Sequence, residues 1–191
     1  STSHQEGLDW WREVFLTPPP VIALPQRPQP DETDWRAAYQ TLTLPLPLTE
    51  ALRQLARQQD TTLFTLLLST FQLLLQRYSG ENDLTIGLPV SLRDSDTLQN
   101  LPGLLLNTLA FRQTLDTSQP FATFRAASEA ALREALSHKE TPFEQVVNAV
   151  LPAEGRATSP LFRIMFVYNA SPDERREGSE ARLSSQALNA P

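Results

Sequence analysis

Two histidines and no cysteine make up the side chains of this 191-residue sequence that ordinarily titrate near neutrality. His4 lies in the first few residues, so His138 is the one internal group able to shuttle a proton at physiological pH. It opens the stretch His138-Lys139-Glu140-Thr141-Pro142-Phe143-Glu144. Two readings are open. His138 can serve as a general base, although Ser137 and Glu140 are sequence neighbours and such neighbours seldom point together on a helix. It can equally close a helix, where a last-turn histidine bonds an exposed carbonyl and favours the dipole. The second needs no partner and is preferred.

Two other places hold polar groups where chemistry is conceivable. Asn107 interrupts the apolar run Leu104–Phe111, so once buried it must either tie strands together or face a ligand channel. Arg156, Ser159 and Arg163 surround Pro160, where a surface loop with a strand-entry proline explains them as well as a site does. A metal centre would have to recruit carboxylates, because thiolates are absent and the histidines are far apart; none is expected. The six glycines are too dispersed for a dinucleotide fingerprint or a phosphate loop, and no serine forms a nucleophile elbow. Base-stacking platforms flanked by cations are missing, and a net charge of −6 opposes a grip on phosphate backbones.

These residues need a scaffold, and 40% hydrophobic content at this length suits one globular domain or one large lobe. Trp10, Trp11, Val14 and Phe15 recur at helical spacing over about residues 5–16. The prolines that follow predict an extended tether over 17–34. Alternation from Tyr39 to Leu44 predicts a strand ended by Pro45 and Pro47. Thr49 then caps a helix carrying Leu52, Leu55 and Ala56. The most apolar helix follows over about 62–78, opened by Asp60, Thr61 or Thr62 and stopped by Gly80. Its core, Leu63–Leu75, is interrupted by Thr65, Ser69, Thr70 and Gln72 and is too short to span a bilayer.

Strands are expected over Asp83–Leu88, Leu104–Arg112 and Leu161–Tyr168, with a polar loop from Pro89 to Asn100. An amphipathic helix begins near Ser118 and Pro120, presenting Phe121, Phe124, Ala127 or Ala131, Leu132, Ala135 and Leu136 on one face. In the next helix Thr141 is the expected N-cap, Pro142 the first helical residue and Glu144 the capping-box partner. Residues 171–191 are polar and expected to be mobile. The order predicts an α/β (α+β) architecture with helices packed on a mixed β-sheet. Neither a secretory signal nor a membrane span is read, which predicts a soluble, cytoplasmic protein.

Three stretches together resemble the later motifs of condensation domains from nonribosomal peptide synthetases. Leu101–Arg112, with Asn107, Thr108 and Arg112, resembles the family's Gly-x-Phe-Val-Asn-Thr-x-x-x-Arg segment. His138–Glu144, with Pro142 and Phe143, resembles His-Gln-Asp-x-Pro-Phe-Glu. Arg156–Phe162, with Ser159 and Pro160, resembles Ser-Arg-x-Pro-Leu-Phe. Trp10-Trp11 with the proline tether, Thr62-Leu63-Phe64 and Arg77–Gly80 leading to Ile86–Val90 add support. The similarity runs over about residues 8–170, with the lobe proper over 35–170. Departures are Leu105 and Leu106 for Phe-Val, Lys139 and Glu140 for Gln-Asp, and Thr158 where arginine is common.

The resemblance implies a chloramphenicol-acetyltransferase-like fold of two lobes, of which this is the C-terminal one. It further implies amide-bond formation between thioesters carried on phosphopantetheine arms of carrier proteins, with no cofactor bound to the lobe itself. Expected partners are the N-terminal lobe, a carrier protein and adjacent synthetase domains, without nucleic acid or membrane. The family's catalytic His-His-x-x-x-Asp-Gly signature is absent, so no residue here is expected to be catalytic and the chain alone is expected to be inactive. On this reading the nine motif residues named above line the channel or hold the structure. An alternative is a non-catalytic module that packs on a neighbouring domain or self-associates through its aromatic first helix and tether.

Overall fold

A computed structural model describes residues 2–25, 39–92, 106–152 and 161–169. Seven elements follow one another: α1 (Thr2–Val14), α2 (Leu46–Gln58), α3 (Leu63–Ser79), β1 (Asp83–Ser91), β2 (Leu106–Thr114), α4 (Phe121–Ser137) and α5 (Phe143–Val150). The expectations for the tail 171–191 and for Arg156, Ser159 and Pro160 fall outside the described residues.

β1 and β2 pair antiparallel from Asp83↔Thr114 to Ser91↔Leu106. The other side of β1 meets residues 161–169 in parallel: Gly87 N–H donates to Ile164 O and Phe166 N–H to Gly87 O, both at 2.9 Å. β1 therefore lies at the centre of a mixed sheet, and Leu84–Leu88 are buried on both faces. The expected strand at 161–168 is extended but makes only this one bridge. β1 also runs through Pro89 to Ser91, where the sequence predicts a polar loop; Pro89 is tolerated opposite Thr108 near the strand end.

α3 sits across the sheet as its apolar composition demands. Thr62 caps it by accepting from Thr65 N–H at 3.0 Å, and Gly80 ends it at φ 72°, where glycine carries no Cβ penalty. Leu68 and Leu75 enter one core with Trp11, Phe15, Ile86, Phe111, Phe124 and Leu132.

Three local expectations are corrected. Tyr39–Leu44 is not a strand: alternation sets a two-faced pattern, but a strand exists only with a ladder partner, and none is present among the described residues. Thr49 is not a cap. α2 starts earlier, with Pro45 at the N-cap and Pro47 in the first turn, where a missing N–H costs nothing. Thr49 Oγ1 instead donates back to Pro45 O at 3.3 Å. The capping box at Thr141 and Glu144 does not form either, for a reason given by Asn107.

Candidate functional site

Asn107 lies near the start of β2, on the same face as Leu109, Phe111 and Gln113. Its amide Nδ2 donates to Lys139 O and to Thr141 O, both at 2.8 Å, and its Oδ1 accepts from Phe143 N–H at 3.1 Å. Two carbonyls on one side and an N–H on the other allow a single amide orientation. Asn107 thus supplies from another element the cap that α5 lacks locally, where the N-cap is Pro142 and makes no side-chain bond.

The motif loop is fixed at both ends. His138 is the C-cap of α4; its N–H bonds Ala135 O at 3.1 Å, and its carbonyl accepts from Thr141 N–H at 3.2 Å. Its ring stacks on Trp10 of α1 with centroids 4.4 Å apart and planes 18° apart. Among the described residues no hydrogen bond joins that ring to a hydroxyl or a carboxylate, so the geometry is that of a packed helix end.

Thr141 is buried against α1 at Gly7, where any Cβ would run into Thr141 Oγ1. Phe143 packs on Phe162 with centroids 5.4 Å apart. The Phe162 ring occupies the space that a side chain at Gly87 would need. Pro142 and Glu144 are exposed at the mouth of α5, with Glu144 in its first turn, favourable to the dipole.

Arg112 forms a second anchor. Nε and Nη2 hold Asp83 at 2.9 and 2.6 Å, and Nη1 donates to Val14 O at 3.0 Å and Thr17 O at 2.7 Å. With Nη2 to Thr17 Oγ1 at 3.3 Å, all five guanidinium N–H groups have acceptors. The cation sits at the C-terminal end of α1 and 5.6 Å from the Phe15 ring, pinning helix and tether to the sheet. Thr108 is half-buried opposite Pro89. Of the sequence-derived residues, Asn107, His138, Pro142, Phe143 and Glu144 thus come together, Arg112 anchors α1, and Ser159 and Pro160 fall outside the described residues.

Sequence reasoning passes over one buried polar cluster. Gln72 Nε2 donates to Gln113 Oε1 at 2.9 Å, and Ser128 Oγ lies 2.9 Å from Gln113 Oε1 and 3.1 Å from Gln72 Oε1. These three side chains join α3, β2 and α4 inside the core. A signal for it exists, since Gln113 shares strand parity with Leu109 and Phe111. Trp10 likewise reads as part of an aromatic helix face but not as the ring that covers His138. No group of three metal-ligating side chains gathers among the described residues, and no helix there is long and apolar enough to cross a membrane.

The condensation-domain family model matches residues 1–190. The chain is 37% identical over 163 residues to a linear gramicidin synthase of Brevibacillus parabrevis, covering 85% of this chain and 2% of that one. It is 37% identical over 176 residues to phosphinothricin tripeptide synthetase PhsC of Streptomyces viridochromogenes, covering 92% and 16%. The chain therefore spans a small part of the relatives it matches. Among solved structures, a holo four-domain nonribosomal peptide synthetase bound to AMP and glycine superposes with TM-score 0.77 at 28% identity, over 89% of this chain and 13% of that one. The first condensation domain of the CDA synthetase superposes with TM-score 0.67 at 20% identity, over 80% and 33%, a likeness of fold. The mixed sheet under helices is thus the chloramphenicol-acetyltransferase-like fold of these domains. Asn107, the Thr141–Phe143 turn and Phe162 hold together three motifs by which the chain belongs to the condensation-domain family of nonribosomal peptide synthetases.

Proposed function

We propose that this chain is the C-terminal-lobe portion of a condensation domain, supplying positioning rather than proton transfer. In the parent reaction the amine of a carrier-bound aminoacyl group attacks the thioester carbonyl of the upstream acyl or peptidyl group. The C–N bond forms, the C–S bond breaks, the amine proton leaves to a base, and the donor phosphopantetheine arm ends as a free thiol. The lobe binds no cofactor of its own and works beside the N-terminal lobe, a carrier protein and the adjacent synthetase domains in the cytoplasm, away from nucleic acid and membrane.

One observation carries the reading. Asn107 is bonded to backbone, Phe143 is packed on Phe162, Arg112 is bonded to Asp83 and backbone, and the His138 ring is stacked on Trp10. The sequence also contains no His-His pair to act as the base. The test is a condensation assay with two loaded carrier proteins. The 191-residue chain should give no amide product, and turnover by it alone would overturn the proposal. A second reading, a non-catalytic module on a neighbouring synthetase domain or a second copy, is favoured by exposed Leu42, Leu46 and Leu48. Sedimentation tests it: a compact monomer would count against it.

A further inference from the structure

We infer that α1 is a releasable strap: it opens as one unit at lower cost than the rest of the fold, and the turn between α4 and α5 opens with it. The strap meets the turn at two places. The Trp10 ring covers the His138 ring, and Thr141 is buried against Gly7. α1 also packs on α5, the helix into which the turn leads. Its far end is latched to the sheet by Arg112, which donates to Val14 O at 3.0 Å and Thr17 O at 2.7 Å.

Three features make the hold on α1 weak. A helix of 13 residues is marginal in water, so α1 owes its order to docking. Gly7 lowers its helix propensity further, and no larger residue fits there because a Cβ would run into Thr141 Oγ1. Trp11 anchors the helix, 1% exposed and stacked on Phe15, yet its indole N–H is buried with no acceptor among the described residues. Desolvating that donor offsets part of what the buried ring contributes.

The elements beneath are tied differently. Gln72, Gln113 and Ser128 join α3, β2 and α4 by side-chain bonds, and β1 and β2 share a ladder from end to end. When α1 lifts, those ties stay, while His138 loses its stacking partner and Thr141 its cover. The Asn107 clasp is then left to hold the turn, so a neighbour that draws α1 off the sheet loosens the motif loop without touching it. The strap follows from contacts within this chain and does not depend on the condensation-domain reading.

The experiment is native-state hydrogen exchange of the 191-residue chain in rising urea below its unfolding transition. The reporters are Phe15 N–H, bonded to Trp11 O at 3.1 Å, and Phe143 N–H, bonded to Asn107 Oδ1 at 3.1 Å. The controls are Leu109 and Phe111 in the β1–β2 ladder. Phe15 and Phe143 should share one opening free energy and one urea slope, and be at least ~10-fold less protected than the controls. Gln113→Leu weakens ties that survive the opening, so it should speed the controls and leave the reporters within ~2-fold of the parent. Arg112→Lys removes the latch and should speed Phe15 and Phe143 alike, by at least ~10-fold. Separate opening energies for Phe15 and Phe143, or equal protection at all four amides, overturns the inference. So does a Gln113→Leu effect as large on the reporters as on the controls, or an Arg112→Lys effect that is absent or confined to Phe15.

Discussion

Asn107 and Gln113 stand on the same face of β2, six residues apart, and solve the same problem in opposite ways. Each is a carboxamide on the strand face otherwise formed by Leu109 and Phe111. Asn107 bonds three backbone groups of the turn between α4 and α5. Gln113 bonds only side chains, Gln72 of α3 and Ser128 of α4. Backbone groups cannot be mutated away, so Asn107 has no substitute that keeps both donors and the acceptor at that reach. A cluster made of side chains can be replaced in concert. The difference separates a position that specifies where a loop goes from one that only fills a core with satisfied polar groups.

The largest effect should come from Asn107→Asp. The carboxylate keeps the acceptor for Phe143 N–H but faces Lys139 O and Thr141 O with no donor. Unpaired, half-buried carbonyls opposite a charge should cost about 3 kcal/mol in urea unfolding. Acidification should return part of the loss, because a protonated carboxyl regains one donor. A loss well under ~1 kcal/mol would mean that the turn holds without the clasp and that the contrast with Gln113 is false.

Gln113 should behave the other way. Gln113→Leu alone leaves Gln72 Nε2 without its acceptor in the core, while Ser128 keeps its bond to Gln72 Oε1, and should cost about 2 kcal/mol. The triple change Gln72→Leu, Gln113→Leu, Ser128→Ala removes every polar member and should cost less than the single change, within about 1 kcal/mol of the parent. A triple variant as unstable as the sum of its parts would show that this cluster also specifies geometry.

The contrast also explains what is legible in the sequence. Asn107 stands out because one polar residue within an apolar run is conspicuous, and its neighbours resemble a known motif. α3 and β1 are legible because apolar content, the Thr62 cap and the Gly80 stop all agree locally. The cap of α5 is misplaced at Thr141 because local spacing satisfies a capping box, while the bond that forms comes from 36 residues away. Gln72 and Ser128 are hidden for a similar reason, since each looks like an ordinary interruption until the partner helix is in place. Tyr39–Leu44 shows the converse: its pattern is that of a strand, but no ladder partner is present among the described residues.

A smaller effect is expected at the other end of the Asn107-held turn. His138→Ala removes the stack on Trp10 but leaves the backbone bonds of the C-cap intact. The loss should be about 1 kcal/mol, the worth of one aromatic contact, and His138→Phe should recover most of it. Equal losses for both variants would point to a role for the imidazole beyond packing and reopen proton chemistry at this position.

The smallest effect should be at Asp116, just past Gln113, where a side chain again caps backbone but in full contact with water. Its Oδ1 accepts from Ser118 Oγ at 2.6 Å and Ser118 N–H at 3.0 Å, and Oδ2 from Gln119 Nε2 at 2.8 Å. These bonds, the Ser118 hydroxyl first, hold the carboxyl below its usual range. A lowered folded-state pKa means that the contribution is complete above the unfolded value and disappears as pH falls through the folded one. Asp116→Asn should therefore lower the urea midpoint slightly at neutral pH, with the gap to the parent closing on the acid side of the carboxylate range. Added salt should shrink the same gap, since an exposed charge is screened. A gap that widens on acidification would contradict the sign. A gap as large as that of Asn107→Asp would mean that solvent exposure does not separate the two capping side chains, and that the backbone partner alone sets their worth.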